Sequence, residues 1–206
     1  MNVVWDMGGI MFRYFTEVLL EVGAERGWAL DGIPLGPTGP VPDPDYERMQ
    51  EGGIDEPSYR RLVVERLHAA GVEGDPTRTI DWPGQRRPAT WDAIRALHAA
   101  GHPQAVLTND ASRWLGPRWW ETWEFGTWFE ALVDVDEVGE RKPAPAPYLA
   151  AAKALGVGPE ACLFIDDMPV NCRGAEAVGM GSLWFDVREP DGSIERLVER
   201  LGLAAI

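Results

Sequence analysis

Three short apolar runs, each ending in polar residues, constrain this chain more than any other feature. VVWD ends on Asp6, VLTND on Thr108, Asn109 and Asp110, and LFIDD on Asp166 and Asp167. The runs are continuous rather than alternating, as in strands buried on both faces of a parallel sheet. Segments with helical periodicity separate them. ATWDAIRALHAAG precedes the second run and APYLAAAKALG the third, and VNCRGAEAVG and SIERLVERLG follow it. ALVDVDEVG contains a short strand and GSLWF reads as another. Alternating helix and strand predicts an α/β domain with a doubly wound parallel sheet. The carboxyl ends of its strands lie along one edge, where open α/β sheets bind ligands. Asp6, Thr108, Asn109, Asp166 and Asp167 are therefore expected to converge.

Between residues 12 and 85 no strand signal appears. FRYFTEVLLEVGAERGW has helical periodicity, and DGIPLGPTGPVPDPD is a Pro/Gly loop. DPDYERMQ reads as a short helix with Asp43 or Asp45 near its start. DEPSYRRLVVERLHAAG is a longer one, with Asp55 as N-cap, Pro57 in the first turn and Gly71 after the end. The expected organisation is a core of 1–11 with 86–206, and a helical insertion at 12–85. LHAAG occurs at 67–71 and 97–101 and reads as two similar helix endings. His68 and His98 then sit in last turns, where they suit the helix dipole, and His102 opens a strand.

Composition excludes several partners. The formal net charge is −14 and no basic block occurs, which argues against nucleic acid and anionic membrane surfaces. No run approaches transmembrane length and none reads as a leader before the first strand. Cys162 and Cys172 are the only cysteines, expected as free thiols in a reducing compartment, and the protein reads as cytoplasmic. Lys142 and Lys153 are the only lysines among 19 basic residues. A lysine between Arg141 and Pro143 in so Arg-biased a chain suggests that a compact point charge is wanted there. Gly8 and Gly9, directly after the first strand, let the backbone approach a ligand closely.

Four stretches in order carry a resemblance to a known family: DMGGI, LTND, ERKPAPAPY and FIDDMPVN. Over nearly its full length the chain resembles the haloacid dehalogenase-like hydrolases, in particular their phosphatase-type members with a small helical cap. The resemblance implies a Rossmann-like core with residues 12–85 as the cap. It also implies Mg²⁺-dependent hydrolysis of a small phosphorylated metabolite, a sugar phosphate being one candidate, through an aspartyl-phosphate on Asp6. Elementary chemistry agrees: a carboxylate can be the nucleophile, and bringing it to a phosphate requires a cation. On this reading Asp6, the Gly8 carbonyl, Asp166 and Asp167 hold the metal. Gly8, Gly9, Thr108 and Asn109 contact the phosphate. Lys142 offsets the remaining charge, as both a catalytic and a binding residue.

One position departs from the family pattern. Most phosphatases it resembles carry a second aspartate two residues after the nucleophile, and here that position is Gly8. Glycine cannot shuttle protons. The consequences open at this point are a slow enzyme, a preference for good leaving groups, or an acid recruited from Asp110, Glu51 or Asp55. The alternatives to a phosphatase are a non-catalytic phosphometabolite-binding protein and a dehalogenase-type hydrolase. The paired Asp166 and Asp167 disfavour a metal-free dehalogenase, and a cap without lysine disfavours Schiff-base chemistry. Arg13 and Tyr14 either contact substrate or pack the cap hinge. Trp114, Trp119, Trp120, Trp123 and Trp128 crowd one stretch. Packing against the sheet suits most of them, but neighbours such as Trp119 and Trp120 cannot share one helix face, so at least one is expected to be exposed, to line the active-site mouth or to sit in a homodimer contact, with the monomer as the alternative.

Overall fold

The computed structural model describes residues 1–109, 111–112, 119–122 and 125–203. The chain divides into two compact units, Met1–Phe12 with Arg86–Ile206, and Arg13–Gln85. Its main elements in chain order are β1 (Asn2–Trp5), α1 (Phe15–Arg26), α2 (Pro44–Gln50), α3 (Glu56–Ala69), α4 (Pro88–Ala99) and β2 (Gln104–Thr108). Then follow β3 (Ala131–Asp134), α5 (Pro145–Ala154), β4 (Cys162–Asp166), α6 (Pro169–Ala177), β5 (Gly181–Trp184) and α7 (Pro190–Arg200).

The first unit is an α/β structure on a five-stranded sheet of order β3-β2-β1-β4-β5, parallel throughout. β1 is central, and its Val3, Val4 and Trp5 are 0% exposed. Side chains alternate between the two faces, as the pleat requires. Val4, Leu107, Phe164 and Tyr148 share one core cluster with Ala151 and Ala175, from α5 and α6. On the other face Gln104 accepts from the Trp5 indole at 2.9 Å and donates to Ile94 O of α4 at 3.0 Å. A buried glutamine is thereby satisfied, as burial of a polar group demands. α4 and α7 also pack together.

Helix starts follow from proline. Pro44, Pro88, Pro145, Pro169 and Pro190 each open a helix, where a missing N–H costs nothing and φ is already set. The last helix therefore begins at Pro190, three residues before the SIERLVERLG pattern. The repeated LHAAG endings are structurally alike, with Gly71 and Gly101 at φ 84° and 78°. ALVDVDEVG splits. Its strand stops at Asp134 and Val135–Val138 turn into a helix, with Asp134 accepting from the Ser112 amide (2.9 Å) and hydroxyl (2.7 Å). The strand that His102 was expected to open starts only at Gln104, and the His102 ring contacts Met1 O at 2.9 Å. Both cysteines are free and buried.

The second unit contains α1 to α3 and is organised by Asp43. This carboxylate, 4% exposed, caps α2 by accepting from the Asp45 and Tyr46 amides. It also accepts from the Gly36 amide (2.9 Å), the Tyr59 hydroxyl (2.7 Å) and the Arg66 guanidinium (3.0 Å). Asp55 caps α3 through the Ser58 amide. Tyr14 is buried with its ring 4.8 Å from that of Phe15, and Arg13 pairs with Glu21. No helix among the described residues is long and apolar enough to cross a membrane.

Of the tryptophan-rich stretch, Trp114 and Trp123 lie outside the described residues, as does the side chain of Trp119. Trp120 is partly buried, and Trp128 meets the edge of His98 at 5.5 Å.

Candidate active site

Strand register sets the site. Trp5 pairs with Val106 on one side and Ile165 on the other, so Asp6 comes off the sheet beside the ends of β2 and β4. The Asp6 amide donates to Ile165 O at 2.8 Å. The order of the sheet reverses between β1 and β4, and this is the crevice where open α/β sheets bind ligands.

Lys142 links the three strand ends. Its ammonium donates to Asp6 Oδ1 at 2.6 Å, Asp166 Oδ2 at 2.8 Å and Leu107 O at 3.2 Å, which uses all its N–H donors. The side chain is 1% exposed and lies 5.1 Å from the Phe164 ring centre. Such burial is tolerable only with paired charges. Burial alone would lower the ammonium pKa, but Asp166 and Asp6 outweigh it and hold it well above the ordinary lysine value. Lys142 is thus a permanent cation. Burial also pushes the Asp6 carboxyl up, to about 6, against the opposing pull of Lys142.

The carboxylates of Asp6, Asp166 and Asp167 offer oxygens within 4.8 Å of one another. Lys142 meets two of the three, Asp6 and Asp166. Asp166 is the most enclosed, at 0% exposure. Besides Lys142 it accepts from the Met168 amide (2.8 Å) and from the Asn171 amide group at 3.1 and 3.0 Å. Both its oxygens are therefore engaged. Its first visible duty is to hold Lys142, whereas Asp6 and Asp167 are better disposed to meet a cation directly.

Asn109 contributes through its side chain: Oδ1 accepts from the Lys142 amide at 3.0 Å and Nδ2 donates to Lys142 O at 3.4 Å. Thr108 ends β2, 5% exposed and in register with Asp134. Gly9 has φ 72°, and a Cβ there would lie 2.8 Å from Asp167 Oδ2. At Gly8 an added Cβ would meet nothing within 4 Å. Among the acids considered for proton transfer, Asp110 lies outside the described residues, and Glu51 and Asp55 belong to the second unit.

Sequence reasoning missed three supporting residues. Asn171 orients Asp166. Tyr148, inside the core, donates to Asn171 O at 2.8 Å. Arg87, 8% exposed, donates from Nε to Gly9 O at 2.7 Å and from its amide to Met11 O at 3.0 Å. The Trp91 indole binds Met11 O as well, at 2.9 Å, so the start of α4 fixes the loop after β1. For Asn171 the signal was its place in FIDDMPVN. Arg87 carried none, because its partner is 78 residues away.

A haloacid dehalogenase-like hydrolase family model matches residues 43–179. The chain belongs to that family. Among curated relatives, a phosphoglycolate phosphatase of Pseudomonas putida is 28% identical over 86% of this chain and 66% of its own. The chain spans about half to two thirds of the length of the curated relatives it matches. Among solved structures, a HAD family hydrolase from Deinococcus radiodurans with bound phosphate and sodium is 26% identical, with a TM-score of 0.57 over 98% of this chain and 88% of that one. A HAD family enzyme from Bacteroides thetaiotaomicron, in complex with magnesium and inorganic phosphate, is 19% identical and shares the fold, with a TM-score of 0.52 over 90% and 94%.

Proposed function

We propose that this HAD-like protein is a Mg²⁺-dependent phosphatase that hydrolyses a small phosphorylated metabolite through an aspartyl-phosphate on Asp6. The observation that carries this reading is the Asp6 carboxylate itself. It stands at the end of the central strand, fixed at 2.6 Å by a buried lysine and flanked by two further carboxylates. With Oδ1 held by Lys142, the carboxylate is oriented before substrate arrives, which lowers the entropic barrier to attack. Its pKa of about 6 leaves it ionised at neutral pH and more basic than an exposed aspartate.

The donor set fits Mg²⁺, which prefers oxygen ligands and is usually held by one or two carboxylates. Asp6 and Asp167 would hold it, with the Gly8 carbonyl, and Asp166 would assist through its hydrogen bonds. When bound, the ion supplies positive charge between the carboxylates and the incoming phosphate. Thr108 and the Asn109 amide line the neighbouring strand end as phosphate contacts, while the Asn109 side chain keeps Lys142 in place. In this reading the helical unit Arg13–Gln85 serves as the cap and restricts the site to small substrates. The acidic chain acts in the cytoplasm on a free metabolite, as monomer or homodimer. The phosphoglycolate phosphatase relatives and the phosphate-bound Deinococcus structure support the substrate class.

The test is phosphate release from a panel of phosphate compounds, with Mg²⁺ and with excess chelator, beside Asp6→Asn. Metal-dependent release that Asp6→Asn abolishes is expected. Release that persists in Asp6→Asn sinks the reading. Binding of phosphorylated ligands without turnover, unchanged in the mutant, would instead make the protein a non-catalytic binder.

A further inference from the structure

Resting on that phosphatase reading, we propose that the substrate is a phosphoryl compound whose leaving oxygen departs as a stable anion, with acyl phosphates the best fit. The core unit brings no described proton donor to the leaving group. All three N–H donors of Lys142 point at Asp6, Asp166 and Leu107. Asp166 is saturated by Lys142, Met168 and Asn171. Asp6 is the attacking group and Asp167 belongs to the metal cluster. The two histidines of this unit serve the opposite end of the sheet: His98 ends the helix before β2, and His102 precedes that strand and contacts Met1 O.

The loop after β1 carries the second observation. Gly9 must be glycine, since it has positive φ and a Cβ would collide with Asp167. Gly8 is under neither constraint. Its φ is outside the left-handed region and a Cβ would meet nothing within 4 Å. The backbone two residues beyond the nucleophile thus admits a side chain, yet this chain places none there. Its lack of a proton donor at that point is a chemical property of the site and not a packing requirement.

The reaction balances without an acid when the leaving group is a carboxylate. An Asp6 carboxylate oxygen forms a bond to phosphorus as the bond from phosphorus to the leaving oxygen breaks. That electron pair departs on the leaving oxygen, giving a free carboxylate. Water then attacks phosphorus, the bond to Asp6 breaks with its pair returning to the Asp6 carboxylate, and the surplus proton of water passes to solvent. Both expelled groups are carboxylates, so neither step needs protonation of an alkoxide. An alkyl ester does need it, and the missing help is worth about 10²–10⁴ in rate.

The experiment compares kcat/KM with Mg²⁺ for acetyl phosphate, 4-nitrophenyl phosphate, phenyl phosphate and phosphoglycolate, in wild type, Gly8→Asp and Gly8→Asn. The expected wild-type order follows leaving-group acidity, with phosphoglycolate about 10²-fold or more below acetyl phosphate. Gly8→Asp should narrow that ratio by about 10²-fold, while the isosteric Gly8→Asn should not. The wild-type series stands by itself if either variant fails to fold. A flat series in wild type, with the alkyl ester as good as acetyl phosphate, overturns the proposal and leaves the phosphatase intact, with its acid supplied from elsewhere in the chain. No Asp6-dependent release from any compound, acetyl phosphate included, overturns the phosphatase reading itself.

Discussion

Lys142 is the residue on which the site turns, and its neighbours predict what its loss does. Lys142→Met removes the one ammonium that compensates Asp6 and Asp166, both within 2.8 Å of it. Leaving such charges uncompensated typically costs about 3–5 kcal/mol. Urea unfolding of Lys142→Met should show a loss of that size at neutral pH, smaller at pH 4, below the raised Asp6 value of about 6. An unchanged urea midpoint would mean that Lys142 is not buried among them. Asp6 gives a second prediction at this scale. Burial raises its pKa to about 6, and attack requires the ionised form. Phosphate release should therefore fall as pH drops through about 6, and the acid limb moves lower when metal binds beside it. The sign for stability is opposite. A carboxyl whose folded pKa is raised contributes stability that is present below its unfolded value, near 3.8, and lost as pH rises through about 6. Titrating the metal-free protein against Asp6→Asn, which lacks this group, should show the wild type losing ground across that window. Parallel stability profiles would contradict the shift.

At the scale of elements, the loop after β1 separates two glycines that look alike in the sequence. Gly9→Ala meets both a left-handed φ of 72° and a 2.8 Å approach to Asp167, so it should lose about 1–3 kcal/mol. Gly8→Ala meets neither and should stay within about 1 kcal/mol of wild type. Equal losses in thermal melts would refute the distinction. The same loop shows what was legible in the sequence and what was not. The strand ends were legible because buried parallel strands are continuous apolar runs that stop abruptly at VVWD, VLTND and LFIDD. The parallel sheet followed from their alternation with helices. The strand order did not follow, since nothing local distinguishes a neighbour on the left from one on the right. Asn109 and Arg87 were not legible as supports either. A polar side chain acquires that role only from a partner brought to it by the fold, such as Gly9 O for Arg87. ALVDVDEVG holds the short strand expected of it, Ala131–Asp134, but where that strand stops was not legible, since its alternation continues past Asp134 and the Ser112 contacts there come from 22 residues away.

For the whole molecule, the two units make different demands on the solvent. Asp6, Asp166 and Asp167 all lie in the unit of Met1–Phe12 and Arg86–Ile206, whereas Asp43 belongs to Arg13–Gln85. Burial tends to raise the Asp43 pKa, but the Gly36 amide, Tyr59 and Arg66 outweigh it and hold the carboxyl below its ordinary value. This carboxylate contributes stability that is present above 3.8 and lost as pH falls. On the proposed reading Mg²⁺ would act on the other unit. A chain of net charge −14 attracts cations everywhere, and diffuse attraction must be told apart from a site. A ligand at about 100 times its Kd adds about 2.7 kcal/mol, or roughly 5–10 °C for a protein of this size. In moderate NaCl, which screens the diffuse component, Mg²⁺ should raise the melting temperature of wild type by that order. It should do so for Asp43→Asn as well, from a lower starting point, because the metal cluster is untouched. Asp6→Asn and Asp167→Asn should lose most of the gain, each measured against its own melting temperature without metal. If all four proteins gain equally, the ion is binding to the acidic surface at large and the three carboxylates are not a metal site.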